Sequence, residues 1–522
     1  MLARLINNQK IVLENVTVQA ETLIARRFSV EDPKSRYIDG ASNWTGVYKR
    51  YNSQSKSLNR AFLGELRVLC DKENLPLRVV DDRAPWKYEI PDPESITTDY
   101  LHGITLTDYQ IRAIKKACTA EVGIYSLPTG SGKTEIMAGI CKAMQCPTVI
   151  IADQLIIIDQ IKLRLELRDV VVEAGLFYGG KTPTGQLIII GSVQSLVTPK
   201  KIPQEPDGAD YKTKAAYDKA FAKYKATLSA TRKRIKRARI FQDIIRKADM
   251  LIVDEADIAT SGTYRDVFRY WFKGRRRYGM TGTPFDPDKP VQNLFVQEHF
   301  GSLVVNVNRK EVEEAGRIIP VDYSMIACTY GSSKDDASAY DIAFNDLIVY
   351  NKIFHELVAG VCKLYPDDGT LILVDRDPLG LLLEQKIEGS VFIHGKTPKR
   401  KRNEVLKRFE QRNLQVLIGG KILRRGLDLE GGCENLIVAT GGQLWKTLKQ
   451  QIGRAVRINK RGFARVIDFY FLNNRYLYKH SRSRLKAIVD SGYSTRVVFK
   501  NGEIDGEALI KSRFHIPKKL LV

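Results

Sequence analysis

From Leu106 onward, short apolar runs alternate with amphipathic stretches. Val122–Ser126, Thr148–Ala152, Leu187–Gly191, Met250–Val253 and Arg277–Met280 have the length and apolar content of buried strands. The rhythm breaks between about 300 and 345 and resumes at Thr370–Val374, Ser390–Ile393, Gln415–Ile418, Asn435–Ala439 and Ala464–Phe469. Strands alternating with helices predict an α/β fold with mostly parallel sheets under covering helices. The pattern is read as two lobes in series, 96–310 and 311–475, followed by a C-terminal extension, 476–522.

Residues 1–95 predict a small α+β module with a helix near Phe62–Lys72, where Phe62, Leu63, Leu66, Leu69 and Cys70 recur at helical spacing. Pro91–Ser95 reads as a linker, so removing the module is expected to leave the downstream lobes folded. The first lobe is interrupted between Lys200 and Lys247, where 15 Lys or Arg face 5 Asp or Glu, a net of +10. Tyr217, Phe221, Tyr224 and Leu228 recur there at helical spacing, and the segment predicts a basic helical hairpin. Arg232, Lys233 and Arg234 are its candidate nucleic-acid contacts; the competing reading is a solvated helix pair.

Composition sharpens the partner. The chain of 522 residues carries a net charge of +23, which fits a polyanion. No stretch approaches the roughly 20 apolar residues that cross a bilayer, and no membrane partner is expected. The N-terminal residues show no secretory signal, and seven scattered Cys without a CxxC pair argue for reduced thiols rather than zinc or disulfides. A cytoplasmic location is expected, in the host cytoplasm if the chain is phage-encoded.

The chemistry lies in two separated motifs. Residues 127–134 read LPTGSGKT between a predicted strand and a predicted helix. Gly130 and Gly132 let the backbone curl until several N–H groups converge at a helix N-terminus, a cradle for phosphates. Pro128, Thr129 and Ser131 complete the loop, Lys133 brings a point charge to the phosphate oxygens, and Thr134 offers a hydroxyl to Mg²⁺. The common pattern has Gly or Ala where this chain has Leu127. About 120 residues later, LIVDEAD is an apolar strand ending in carboxylates. Asp254 is assigned to Mg²⁺ and Glu255 to the base that takes a proton from attacking water. ATP and Mg²⁺ are therefore the expected cofactors.

With these motifs in place, the chain resembles superfamily 2 helicases over residues 104–470, which implies two RecA-like lobes. The resemblance implies that Gln110 in LTDYQ reads adenine and that TGTP at 281–284 couples hydrolysis to DNA through Thr281, Gly282 and Thr283. GLDLEG at 426–431 is similar to the fifth motif, with Asp428 near the ribose. That motif often has a Thr where Gly420 stands here, so Lys421 is the expected backbone contact. QQIGRAVR at 450–457 is similar to the sixth, with Gln450, Arg454 and Arg457 catalytic. An Arg arriving from a second lobe stabilises the transferring phosphoryl group when the cleft closes. Ser192 and Gln194 lie where the family's first lobe touches a nucleic-acid backbone.

Within the superfamily, residues 42–82 resemble the leading domain of phage UvsW-type branch-migration helicases, making Trp44, Lys49 and Arg50 candidate DNA contacts. The implied function is an ATP-dependent, monomeric DNA motor that remodels branched or forked DNA in recombination, replication or repair. An RNA helicase, a restriction-complex motor subunit and a nonhydrolysing ATP-gated clamp remain alternatives. DEAD at 254–257 suggests the RNA helicases, but their third motif is usually SAT rather than TGT.

Overall fold

The computed structural model describes residues 1–32, 46–196, 202–259, 262–271, 273–286, 289–330, 340–420, 432–442, 452–453, 459 and 461–521. Its two compact units are Met1–Pro128 with Gly132–Val307, and Asn308–Val522 with Thr129–Ser131.

The first unit begins with strands β1 (Leu2–Leu5), β2 (Lys10–Glu14), β3 (Ser29–Glu31), β4 (Val47–Lys49), β5 (Ser57–Asn59) and β6 (Arg78–Asp81). Four of them form a sheet in the order β5-β2-β1-β6, and β3 pairs with β4. The predicted helix is present as Leu63–Lys72, with Leu66, Leu69 and Cys70 buried. They pack with Ile11, Ile24, Phe28 and Phe62, and also with Leu294 from the lobe's helix Pro290–Phe300.

This module is not separable in the way the sequence suggested. Arg277, on a lobe strand, is 1% exposed and donates to Asn59 Oδ1 at 3.0 Å, and Gln9 donates to the Trp271 carbonyl at 3.0 Å. Glu121 of the lobe pairs with Arg60 and Arg83 of the module. Burial pushes the Arg277 guanidinium down to about 10, and burial with neighbouring Arg side chains pushes Arg60 down to about 8. Polar groups this costly to bury are spent across the seam, so module and lobe share one core.

The lobe sheet contains β7 (Val122–Ser126), β8 (Thr148–Ala152), β9 (Gly175–Phe177), β10 (Ile188–Ser192), β11 (Met250–Asp254), β12 (Arg276–Thr281) and β13 (Leu303–Asn306). Their order is β13-β7-β12-β11-β8-β10-β9, all pairs parallel. This is the RecA-like arrangement, with ligand-binding loops at the carboxyl ends of the strands. The expected helical hairpin is instead one helix, Lys214–Lys247, of 34 residues. No Gly or Pro interrupts it, so nothing in the sequence turns the chain back.

The second unit holds an eight-stranded sheet of β14 (Val321–Cys328), β15 (Thr370–Val374), β16 (Val391–Ile393), β17 (Val416–Gly419), β18 (Asn435–Ala439), β19 (Ala464–Phe471), β20 (Thr495–Phe499) and β21 (Gly502–Asp505). The order is β16-β17-β15-β18-β19-β14-β20-β21, parallel except for the last pair. Two expectations change. The break near 300–345 contains β13 and β14, and the supposed extension 476–522 supplies β20 and β21 to this sheet. Its helix Arg475–Val489 is tied to β19 by a buried ion pair: Arg484 Nε lies 2.8 Å from Asp468 Oδ2, with the side chains 2% and 0% exposed. The Tyr323 hydroxyl donates to the same carboxylate at 2.9 Å.

Candidate active site

The loop after β7 is shaped by two glycines in the left-handed region, Gly130 at φ 88° and Gly132 at φ 76°. Gly132 caps the helix Lys133–Met144, and a Cβ there would stand 2.4 Å from Gln110 Nε2. Both its conformation and the lack of space require glycine. Leu127 is buried just past the end of β7 and its N–H donates to the Thr281 carbonyl at 2.8 Å, so the position that departs from the common pattern packs a large side chain inside the lobe. Gln110 is buried, and its Oε1 accepts from the Thr107 N–H at 3.0 Å, closing a capping box. The adenine-reading candidate is thereby held beside the phosphate loop. Pro128, Thr129 and Ser131 lie in the loop, and Thr134 is the second residue of the helix.

Lys133 Nζ lies 3.1 Å from Glu255 Oε1 and 3.5 Å from Asp254 Oδ1. Burial alone would lower the Lys133 pKa, but the Glu255 and Asp254 carboxylates outweigh it and raise it. Burial raises the Asp254 carboxyl, opposed by Lys133 and reinforced by Glu255. Asp254 Oδ1 is buried and has no hydrogen bond beyond its 3.5 Å ion pair with Lys133, which leaves acceptor capacity for a hydrated cation. These residues fit Mg²⁺ bound to a nucleotide: one carboxylate to hold its water, one Lys to meet phosphate. Glu255 has φ 50°, a conformation that costs a non-glycine residue about 1–3 kcal/mol and is concentrated at functional sites.

The third motif is connected to this centre. Thr281 Oγ1 donates to Asp257 Oδ1 at 2.8 Å, and the Thr283 N–H donates to Thr281 Oγ1 at 3.1 Å. Gly282 lies against the Leu127 carbonyl, where a Cβ would stand 3.3 Å away. Asp257 has no role that the sequence alone assigns. Its signal was present as the last carboxylate of the DEAD run, but its partner is distant in sequence.

The candidate nucleic-acid residues divide. At the carboxyl ends of β10 and β8, Ser192 Oγ donates to Gln194 Oε1, and Gln194 Nε2 donates to Asp153 Oδ1. Lys49 is exposed, as are Arg232, Lys233 and Arg234. Arg50 is committed elsewhere: its Nε lies 3.2 Å from Glu298 Oε2 and its guanidinium 4.3 Å over the Phe295 ring. It fastens the end of β4 to the lobe, with the side chain 19% exposed. Trp44, Lys421, Asp428, Gln450, Arg454 and Arg457 lie outside the described residues. A basic face missed in the sequence is the helix Lys399–Glu410, which buries Val405 and Phe409 and exposes Arg400, Lys401, Lys407 and Arg408.

Among the described residues no helix is long and apolar enough to cross a membrane, and all seven Cys are free and buried.

Two protein families match in series. The type III restriction enzyme res subunit family matches residues 103–286, and the helicase conserved C-terminal domain matches residues 362–459. A search of the curated proteins returns no match. Similar solved structures include UvsW of bacteriophage T4, 14% identical over 95% of this chain and 99% of that one, with a TM-score of 0.41. A fragment described as an HsdR subunit of a type I restriction enzyme from Vibrio vulnificus is 14% identical over 88% and 79%, with a TM-score of 0.49. S. cerevisiae Dbp5 bound to RNA and ADP BeF3 is 14% identical over 77% and 95%, with a TM-score of 0.45.

Proposed function

We propose that the chain is an ATP-hydrolysing superfamily 2 helicase, a DNA motor that uses ATP to remodel branched or forked DNA; the res-subunit match over residues 103–286 and the helicase C-terminal match over 362–459 support this reading. The observation that carries this reading is Lys133 held between Asp254 and Glu255, with Asp257 of the same turn bonded to Thr281. Bound ATP with Mg²⁺ supplies the scissile phosphoanhydride and the metal's charge neutralisation. Lys133 would meet the phosphate charge, Asp254 would hold the metal, and Glu255 would accept the proton of attacking water. Thr134 would offer a hydroxyl to the metal, and Gln110 would read the adenine edge. Gln450, Arg454 and Arg457 would complete the charge stabilisation, with Asp428 near the ribose.

The Asp257–Thr281 bond suits coupling. It joins the end of the catalytic strand to the TGT turn, so rearrangement at Glu255 reaches Thr281 and Thr283 directly. The TGT form of this motif supports DNA over RNA, and the net charge of +23 supports a polyanion track. Ser192, Gln194, Lys49, Trp44 and Lys421 remain the proposed contacts. A second reading, the motor of a restriction-type complex, is favoured by the res-subunit match to the first lobe.

Labelled forks and four-way junctions test the substrate. The purified chain alone is expected to convert them to exchanged duplex products with ATP and not with a nonhydrolysable analogue. Hydrolysis of ATP without conversion of any branched substrate would reject remodelling, and conversion only after adding a partner subunit would favour the restriction-complex reading.

A further inference from the structure

The helix Lys214–Lys247 has no part in the ATP site, and beyond the candidate contacts Arg232, Lys233 and Arg234 it has been given no role. At about 1.5 Å per residue it is roughly 50 Å long. Only its C-terminal part is built into the lobe, where Ala238, Phe241, Gln242 and Ile245 are buried. Phe241 stacks on Phe177 with centroids 4.5 Å apart and planes 9° apart. The fit is close enough that a Cβ on Gly191 would stand 2.2 Å from the Phe241 ring. Arg237 lies 5.0 Å over the Phe177 ring and donates to the Lys181 carbonyl, so it belongs to the anchor. The helix also packs on Val193–Leu196, the turn that follows Ser192. No residue from Lys214 to Arg237 is buried. The helix is thus an arm clamped at one end beside the Ser192–Gln194 turn.

Between Lys214 and Arg239 it carries ten Lys or Arg against one acid, Asp218, a net of +9. Lys225, Arg232, Lys236 and Arg239 are exposed and are spaced to share one helical face. A narrow half-buried stripe of Tyr217, Phe221, Tyr224, Leu228, Thr231 and Ile235 runs beside them, with Tyr217 stacked on Phe221 and Tyr224 tilted against it. That stripe has coiled-coil spacing, but its flanks are cationic at Lys225, Arg232, Arg234 and Arg239. A second copy would bring like charges together, so the complementary occupant is a polyanion with regularly spaced charge.

We propose that this arm lies against the phosphate backbone of duplex DNA and holds it beside the Ser192–Gln194 turn. The proposal rests on the DNA-motor reading. Its contacts neutralise phosphates and release counterions without reading bases. An acidic protein helix seated on the aromatic stripe is the rival occupant.

The test uses the full chain and a short blunt duplex, with binding measured across a salt series without nucleotide hydrolysis. The combined variant R232Q/K233Q/R234Q/K236Q/R239Q should lower the slope of log K against log salt by about 0.9 for each lost contact. At 0.1 M salt the same relation gives about an eightfold loss of affinity per contact. The loss should not depend on duplex sequence. The stripe variant Y217S/F221S should keep the wild-type slope. An unchanged slope and affinity in the charge variant would overturn the proposal, as would a loss confined to the stripe variant, which would favour the acidic helix. If the combined variant melts early, the exposed pair R232Q/K236Q gives the same comparison. Absence of DNA-stimulated hydrolysis in the wild-type chain would reject the DNA-motor reading, while the slope comparison still decides whether the arm meets phosphate.

Discussion

Replacing Glu255 by Gln should leave ATP binding intact and slow hydrolysis by roughly 10²–10⁴-fold, the usual contribution of a positioned general base. The amide keeps the size of the side chain but cannot accept a proton from water. It also removes one of the two carboxylates facing Lys133, at 3.1 Å, which frees the ammonium for phosphate. Nucleotide affinity should therefore hold or tighten while kcat falls. Fluorescent-nucleotide binding and phosphate release measure the two separately. Turnover near the wild-type rate would show that Glu255 is not the base; lost binding would make it a structural partner of Lys133.

Replacing Asp468 by Ala should be among the most destabilising single changes in the second unit. It leaves the Arg484 guanidinium buried and removes the acceptor of the Tyr323 hydroxyl. Breaking a buried ion pair in this way costs about 3–5 kcal/mol. In a unit of this size that corresponds to a melting temperature lower by about 10 °C. The double change D468L/R484M should recover much of the loss, because well-packed apolar replacements of buried pairs are often neutral. Thermal unfolding of the three chains tests this. Equal melting of D468A and wild type would mean that helix Arg475–Val489 is not fastened through this pair and that 476–522 behaves as the extension its sequence suggested.

The candidate ATP site is legible in the sequence because its motifs are local. LPTGSGKT and LIVDEAD announce strand ends, and the buried strands around them are continuous apolar runs such as Thr148–Ala152 and Thr370–Val374, which match the observed spans. Elements that break this rule were missed. β14 alternates buried Val321, Tyr323 and Met325 with polar Asp322 and Ser324, although it lies inside the sheet. β9 has three residues, too few for a periodicity. The basic segment reads as a hairpin, whereas the unbroken absence of Gly and Pro from Lys214 to Lys247 is the better guide to its single helix. Long-range partnerships were invisible for a different reason. Arg50 and Glu298, Arg277 and Asn59, or Asp257 and Thr281 meet only after folding, so no local pattern announces the pairs.

The central claim, an ATP-driven motor on DNA, is tested most directly by steady-state ATP hydrolysis with single-stranded, duplex, forked and four-way DNA and with RNA of matched sequence and shape. The account predicts hydrolysis stimulated by DNA, most strongly by branched forms, and little response to RNA. Stimulation by RNA and not by DNA would contradict it.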